Sequence, residues 1–356
     1  MFGENQKKSV PICLCFAAII FITLSNTTVA ASFQGEEASE IRRLSTISRP
    51  DPEGVPTKVT VGVYLLDILA VNELSQTFTA DFFLLFSWKD TRLALDPSAA
   101  SSLARTYQME EIWHPFATII NERNLDRHYN EILRVDNQGN VDYVQRLQGE
   151  LTNPLSLQEF PLDSQTLGIK ISSIRYSPEE IEFINDENRS GSRGTFSLPG
   201  WDVEQQAIDV TTEYVEVQDR HVARIDFSYM VQRHVGHYII KVIIPLVLII
   251  LMAWAVFFIP PSSLGPQIGL PTSSIFALFI LMDRISQMLP RISYLTRMDI
   301  FILGAIILVF ITLGEAIVTA VLALKEKKQL ARKIDRWARF VYLGLFFIVL
   351  YNAFIR

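Results

Sequence analysis

The sequence predicts an all-β sandwich followed by a four-helix transmembrane bundle, and three observations predict it. The 356 residues are 49% hydrophobic with a mean hydropathy of +0.24, too apolar for a wholly soluble surface. Charge is divided by position. Residues 31–238 hold 18 Lys and Arg against 32 Asp and Glu, a net of −14, whereas residues 239–356 hold 12 against 5, a net of +7. The apolar pattern also changes, from short alternating runs to four long stretches almost without charge. An acidic aqueous domain joined to a basic-flanked membrane domain fits this division. A nucleic-acid binder would place its basic excess on the soluble part.

In chain order, Lys7 and Lys8 precede the apolar run from Val10 to Leu24, and Thr28-Val29-Ala30 supplies small residues. This is the pattern of a signal peptide over residues 1–30; an uncleaved anchor is the alternative, against which the run is shorter than the ~20 residues of a span. Cys13 and Cys15, the two cysteines, lie inside it, so a processed chain has no disulfide and no cysteine metal site. Residues 31–56, with Pro50, Pro52 and Pro56, read as a loose arm.

From Val59 to about Tyr229, short alternating runs are broken by turn residues, the signature of a sandwich. In Thr77 to Trp88, Phe78, Ala80, Phe82, Leu84, Phe86 and Trp88 share one face and Phe83 lies on the more polar one. Asn137 to Asn140 reads as a hairpin turn with Gly139 at positive φ. Asn185 to Gly194 reads as a loop. The sandwich is placed at 31–237 and the membrane domain at 238–356. Val242 to Met282 carry no charge but are interrupted by Pro260-Pro261-Ser262-Ser263-Leu264-Gly265-Pro266, which a single helix cannot cross. Four spans follow, at about 239–259, 267–289, 300–324 and 337–355. With the sandwich exported, the linker carrying Lys325, Lys327, Lys328, Arg332, Lys333 and Arg336 falls inside, as the positive-inside rule requires. That predicts a multi-pass protein of the cell (inner) membrane with both the sandwich and the C-terminus outside.

Within the second span, Gly269, Ser273, Phe276, Ile280, Asp283 and Gln287 recur at steps of three and four and form one stripe. Small, hydroxyl and charged residues with a constriction at Phe276 and Ile280 suit a water-filled axis. Alternatively, Ser273 and its neighbours Thr272 and Ser274 bond backbone or an adjacent helix. One such helix cannot enclose a pore, so conduction requires a cyclic oligomer.

Trp88-Lys89-Asp90, Trp113-His114-Pro115, Phe160-Pro161-Leu162-Asp163, Gly200-Trp201, Pro245 and Leu289-Pro290 occur in the order and spacing of a known family. The chain resembles the pentameric ligand-gated ion channels of the Cys-loop receptor superfamily, in the prokaryotic branch that lacks the disulfide. The resemblance runs from about Val59 to the end. It implies a ten-stranded immunoglobulin-like sandwich, five identical subunits around an axis lined by the second helix, permeant ions, a surrounding bilayer, and a small-molecule ligand or protons as the opening signal. It implies no cofactor.

The resemblance also assigns roles. Glu73, Asp163 and Arg233 correspond to an acid, base, acid cluster between the domains, and Pro290 and Tyr294 to the linker that transmits motion to the pore helix. Three unrelated surface charges are the plainer alternative. Ligand positions carried over are Ile120, Ile174, Arg175, Tyr176 and Tyr214, with Phe83 from the neighbouring subunit. Only Phe83 and Tyr214 are aromatic among the aligned positions, which disfavours a choline-like agonist, and Arg175 permits an anionic or zwitterionic ligand unless it pairs with Glu179 or Glu180. Gln76 and Leu278 stand where acid-sensing relatives have an acid and a histidine, leaving Asp67, His221, His234 and His237 as titratable candidates.

Gly265-Pro266-Gln267 lacks the charges that mark cation or anion selectivity at the inner mouth. Asp283 could form an outer acidic ring, opposed by Arg284, and the balance leans to cations. A non-conducting ligand-binding sensor and an anion-selective channel are the alternatives. No phosphate loop, nucleophile motif or metal cluster appears, and no enzyme activity is expected.

Overall fold

The computed structural model describes residues 47–51, 53–95 and 104–355; the signal-peptide expectation and most of the arm lie outside them. Among the described residues, twelve strands form two sheets, and four helices long and apolar enough to cross a membrane follow them. The larger sheet runs β10 (Gly191–Ser192), β1 (Thr57–Asn72), β2 (Thr77–Lys89), β7 (Asn140–Thr152), β6 (Ile132–Val135) and β3 (Arg105–Gln108). In this sheet β5 (Glu122–Arg127) pairs with β7 and β9 (Ile181–Asn185) with β1. The smaller sheet runs β11 (Trp201–Val215), β12 (Arg220–Arg233), β8 (Ser164–Ser173) and β4 (Ala117–Ile119). Where the resemblance implies ten strands, the described residues form twelve. The added pairing is short: β10 matches two residues of β1 in parallel, and the Arg193 amide donates to the Leu65 carbonyl beyond it, so part of the 185–194 stretch is bound to the sheet edge.

Alternation places the core. Phe78, Ala80, Phe82, Leu84, Phe86 and Trp88 of β2 are all buried, beside Val59, Val61, Val63 and Leu65 of β1 and in one core with Ile169, Ile225 and Phe227 of the other sheet. Trp88 meets Trp113 edge-on at 5.7 Å. The other face of β2 is only partly wet: Asp81 is buried because the Arg146 guanidinium grips it bidentately at 2.7 and 3.0 Å. At the β6–β7 turn, Gly139 has φ +80°, and a Cβ there would collide with the Asp90 carbonyl, so only glycine fits.

β12 leads into the membrane domain with two residues between Arg233 and the first helix. The helices are α1 (Gly236–Phe258), α2 (Leu264–Ser286), α3 (Arg297–Leu324) and α4 (Lys328–Phe354). Their ends differ from expectation for local reasons. A π-helical stretch, Ile239–Ile243, accommodates Pro245 near the start of α1. Pro266 sits inside the first turn of α2, where its missing N–H costs nothing. That helix ends at Ser286, ahead of Pro290. A Thr296–Asp299 capping box starts α3 three residues early. The basic linker is nearly all helix: only Lys325, Glu326 and Lys327 separate α3 from α4, with Glu326 at φ +61°. Gly304 of α3 lets Val349 of α4 approach so closely that a Cβ would overlap it.

Candidate functional site

Three regions gather the sequence-predicted residues. The first lies where the sandwich meets the bundle. Arg233 closes β12, Asp163 precedes β8 and Glu73 follows β1. The guanidinium donates to Asp163 at 2.7 and 3.1 Å, to Glu73 at 2.6 Å and to the Tyr238 hydroxyl at 3.1 Å. Arg233 and Asp163 are 5% and 2% exposed, so these are not independent surface charges. Burial alone would disfavour the Arg233 cation, but the hydrogen bonds and charges of Asp163 and Glu73 outweigh it and hold the pKa above its ordinary value. Aromatic rings complete the cage, with Trp201 at 4.1 Å and Phe160 at 4.9 Å from the guanidinium carbon.

Beside this cage, the 155–161 segment sits on the α2–α3 linker and the first residues of α3. Tyr294 brings its hydroxyl to the Leu157 amide at 3.0 Å, the Arg297 amide donates to the Gln158 carbonyl at 3.0 Å, and the Met298 amide to Phe160 at 3.3 Å. Arg297 also forms an ion pair with Glu159. Pro290 is half-buried in the same linker. Gln76 has a positional role here, its amide bridging the Glu73 carbonyl and the Leu155 amide at 2.8 and 2.6 Å. Sequence reading missed Trp201 as a cage wall, Tyr238 and the Arg297–Glu159 pair. Gly200-Trp201 was the available signal for the first; nothing in local spacing signals a pair 138 positions apart.

The second region is α2. Gly269, Ser273, Phe276, Ile280, Asp283 and Gln287 are all exposed in the subunit, Phe276 by 65% and Ile280 by 73%, while Gln267, Pro271, Ser274, Leu278 and Ile285 are buried on the opposite side against the other helices. Thr272, Ser273 and Ser274 each donate to the carbonyl four residues back, at 2.8 to 3.0 Å. The backbone-bonding alternative thus holds for all three, yet Ser273 stays on the exposed stripe. Asp283 accepts from Gln287 at 2.9 Å. Gln267 is turned inward to Thr319.

The third region lies on the smaller sheet. Arg220 donates to the carbonyls of Ile174 and Arg175 at 3.2 and 2.6 Å, tying the β11–β12 hairpin to the loop after β8. Tyr214, half-exposed on that hairpin, donates to Asp219 at 2.6 Å. Arg175 pairs with neither Glu179 nor Glu180. Its guanidinium lies 4.8 Å over Phe116, and Glu180 instead accepts from the Ser177 amide. Phe116, at φ +49°, is the missed residue. Ile120 is not beside Arg175: its amide bonds Lys170, four residues along the β4–β8 ladder from Phe116, whose carbonyl accepts from Ile174. Tyr176 turns inward, accepting from the Trp113 indole at 2.8 Å. Phe83 is on the other sheet, stacked on Tyr129 at 6.3 Å, and meets Tyr214 only if two subunits abut. His114 packs on Phe116 at 4.0 Å; burial lowers its pKa, Arg175 adds to that, and Glu110 opposes it. Of the other titratable candidates, Asp67 accepts from the Ser197 amide and His234 pairs with Asp202, both at 2.6 Å.

Comparison with known proteins places both domains in one family. The chain matches the neurotransmitter-gated ion-channel ligand binding domain over residues 41–242 and the neurotransmitter-gated ion-channel transmembrane region over 242–345. It is 27% identical over 303 residues to the proton-gated ion channel of Gloeobacter violaceus, covering 85% of this chain and 84% of that one. It is 24% identical to the chicken gamma-aminobutyric acid receptor subunit beta-4 and 25% identical to the human glycine receptor subunit beta. Those matches cover 75% and 80% of this chain but only 56% and 59% of the receptor subunits. The chain is a multi-pass membrane protein and not an enzyme, and it belongs to the neurotransmitter-gated ion-channel family, the pentameric ligand-gated channels.

Proposed function

We propose that the chain is the subunit of a homopentameric, cation-preferring channel whose pore is lined by the exposed stripe of α2. A small ligand between adjacent sandwiches, or protons, would open it. The observation that carries this is the two-sidedness of α2: the face with Ser273 and Asp283 is left bare while the opposite face is packed into the bundle. A bare stripe that mixes hydroxyl and carboxylate groups is costly in lipid and suited to a shared aqueous axis. Phe276 and Ile280 would form its dry constriction, and five Asp283 carboxylates its outer ring. The net −14 of residues 31–238 would raise cation concentration above it. The Arg233 cage and Tyr294 would couple the sandwich to the pore helix, with Pro290 marking where the helix stops.

For the ligand, Tyr214, Ile174 and Arg175 on one subunit and Phe83 on its neighbour would form the pocket, with Phe116 beneath Arg175. A cation stacked on a ring rather than salt-bridged is available to a carboxylate. The sandwich would lie outside the cell, which places the α3–α4 connection, with Lys325, Lys327 and Lys328, in the cytoplasm. Bilayer recording after reconstitution tests the proposal. Currents evoked by acid, amino acids or carboxylates, with a reversal potential following the cation gradient, would support it; a protein that binds such ligands and passes no current would replace it with a non-conducting sensor.

A further inference from the structure

The bundle contains buried polar groups that the pore does not use. At its end away from the sandwich, Gln267 of α2, Thr319 of α3 and Asp335 of α4 are 1%, 0% and 4% exposed, and Glu315 lies one turn before Thr319. Gln267 Nε2 donates to Thr319 Oγ1 at 3.2 Å, and that hydroxyl reaches back to the Glu315 carbonyl at 3.1 Å. Asp335 adjoins both Glu315 and Thr319. Four side-chain oxygens here are buried with no donor: Gln267 Oε1, both carboxylate oxygens of Glu315, and Asp335 Oδ1. Every unmet group is an acceptor, so the cluster lacks a positively charged donor. Two ionised carboxylates side by side in so dry a place repel each other and are poorly solvated.

Charge around the pair points to one proton. Arg339, one turn along α4, attracts Asp335, but its guanidinium donates to the Phe257 carbonyl at 2.9 and 3.0 Å and lies 4.2 Å over Phe258. From the other elements, Trp254 and Phe257 of α1 contact Arg339 and Gln267 of α2 contacts Thr319, none of them charged, and Arg332, Lys333 and Arg336 of α4 are exposed. Two carboxylates against one guanidinium leave an excess of one negative charge, which one proton removes.

We propose that Glu315 and Asp335 form a buried proton-binding site joining α3 to α4. A proton from water forms an O–H bond on one carboxylate, and the new hydroxyl donates to the other, with Gln267 Oε1 a further acceptor in the cluster. No other bond breaks. The inference does not rest on conduction. Removing the proton by raising pH restores the repelling pair and loosens the α3–α4 contact, so the bundle is tighter in acid than in alkali.

The full chain in lipid nanodiscs tests this by isotope-edited infrared spectroscopy of Glu and Asp carboxyls and by thermal unfolding against pH. A protonated-carboxyl band that persists at neutral pH and is lost in Glu315→Gln is the expected spectrum. The wild-type melting midpoint should fall as pH rises, and Glu315→Gln, which mimics the protonated acid, should flatten that fall. Absence of the band from the wild-type protein at neutral pH overturns the proposal without any variant. A midpoint that rises with sodium or potassium at fixed ionic strength and ignores pH overturns it in favour of a metal cation.

Discussion

Replacing Arg233 by alanine should strike both stability and gating. The guanidinium makes three carboxylate hydrogen bonds, to Asp163 and Glu73, and faces the rings of Trp201 and Phe160. Alanine would leave Asp163, 2% exposed, with Gln165 Nε2 at 2.6 Å as its one remaining side-chain donor. Breaking a buried pair in this way costs about 3–5 kcal/mol, because a charge is stranded out of water. For a domain of this size each kcal/mol moves the melting midpoint by about 2–4 °C, so a fall of roughly 6–20 °C is expected. Removing the charges together is different. Arg233→Met with Asp163→Asn and Glu73→Gln strands no charge, though it leaves buried amides unpaired, and should recover part of the midpoint. If the cage couples the domains, the triple variant should still have a displaced activation curve. Fluorescence-detected melting of the solubilised protein and bilayer recording measure the two effects. An Arg233→Ala protein with unchanged midpoint and activation would refute the reasoning.

Further outcomes are expected. Asp283→Asn should lower cation over anion permeability; an unchanged reversal potential in a salt gradient would remove Asp283 from selectivity. Phe276→Ala should ease opening by letting water wet the constriction, seen as a lower agonist or proton requirement. Gly304→Leu should overpack against Val349 and cost about 1–3 kcal/mol, with Val349→Ala recovering part of the loss in a melting assay. The unfolded chain protonates His114 near pH 6.5 while burial holds the folded imidazole below that value. The sandwich should therefore lose stability as pH falls through this window, and His114→Gln should reduce the slope.

The sandwich and the four spans were legible because their signals are local. Alternation in Thr77 to Trp88 maps directly onto buried side chains, and the charge-free run broken at Pro260-Pro261 reads as two helices from composition alone. Glu73, Asp163 and Arg233 meet in one cluster although they lie on three separate segments. What escaped were boundaries and partners set by tertiary contact. The basic residues 328–336 suggested a linker, yet their intrinsic helix propensity and the packing of Ala331 and Asp335 extend α4 through them. Asp81 sits on the nominally polar face of β2 but is buried by Arg146, 65 positions away. Ile120 was carried over from the family resemblance, whereas the ladder from Ala117 to Ile119 takes it away from Arg175 and leaves Phe116 there. Spacing specifies neither which rung a side chain occupies nor which distant residue covers it.

Cysteine accessibility along α2 probes the shared axis most directly, and the two native cysteines, Cys13 and Cys15, lie far from that helix in sequence. In reconstituted open channels, single cysteines at 269, 273, 276, 280, 283 and 287 should each react with a charged thiol reagent and block current, while those at 271, 274, 278 and 285 should not. Block confined to the second set, or to neither, would contradict a pore built on this stripe.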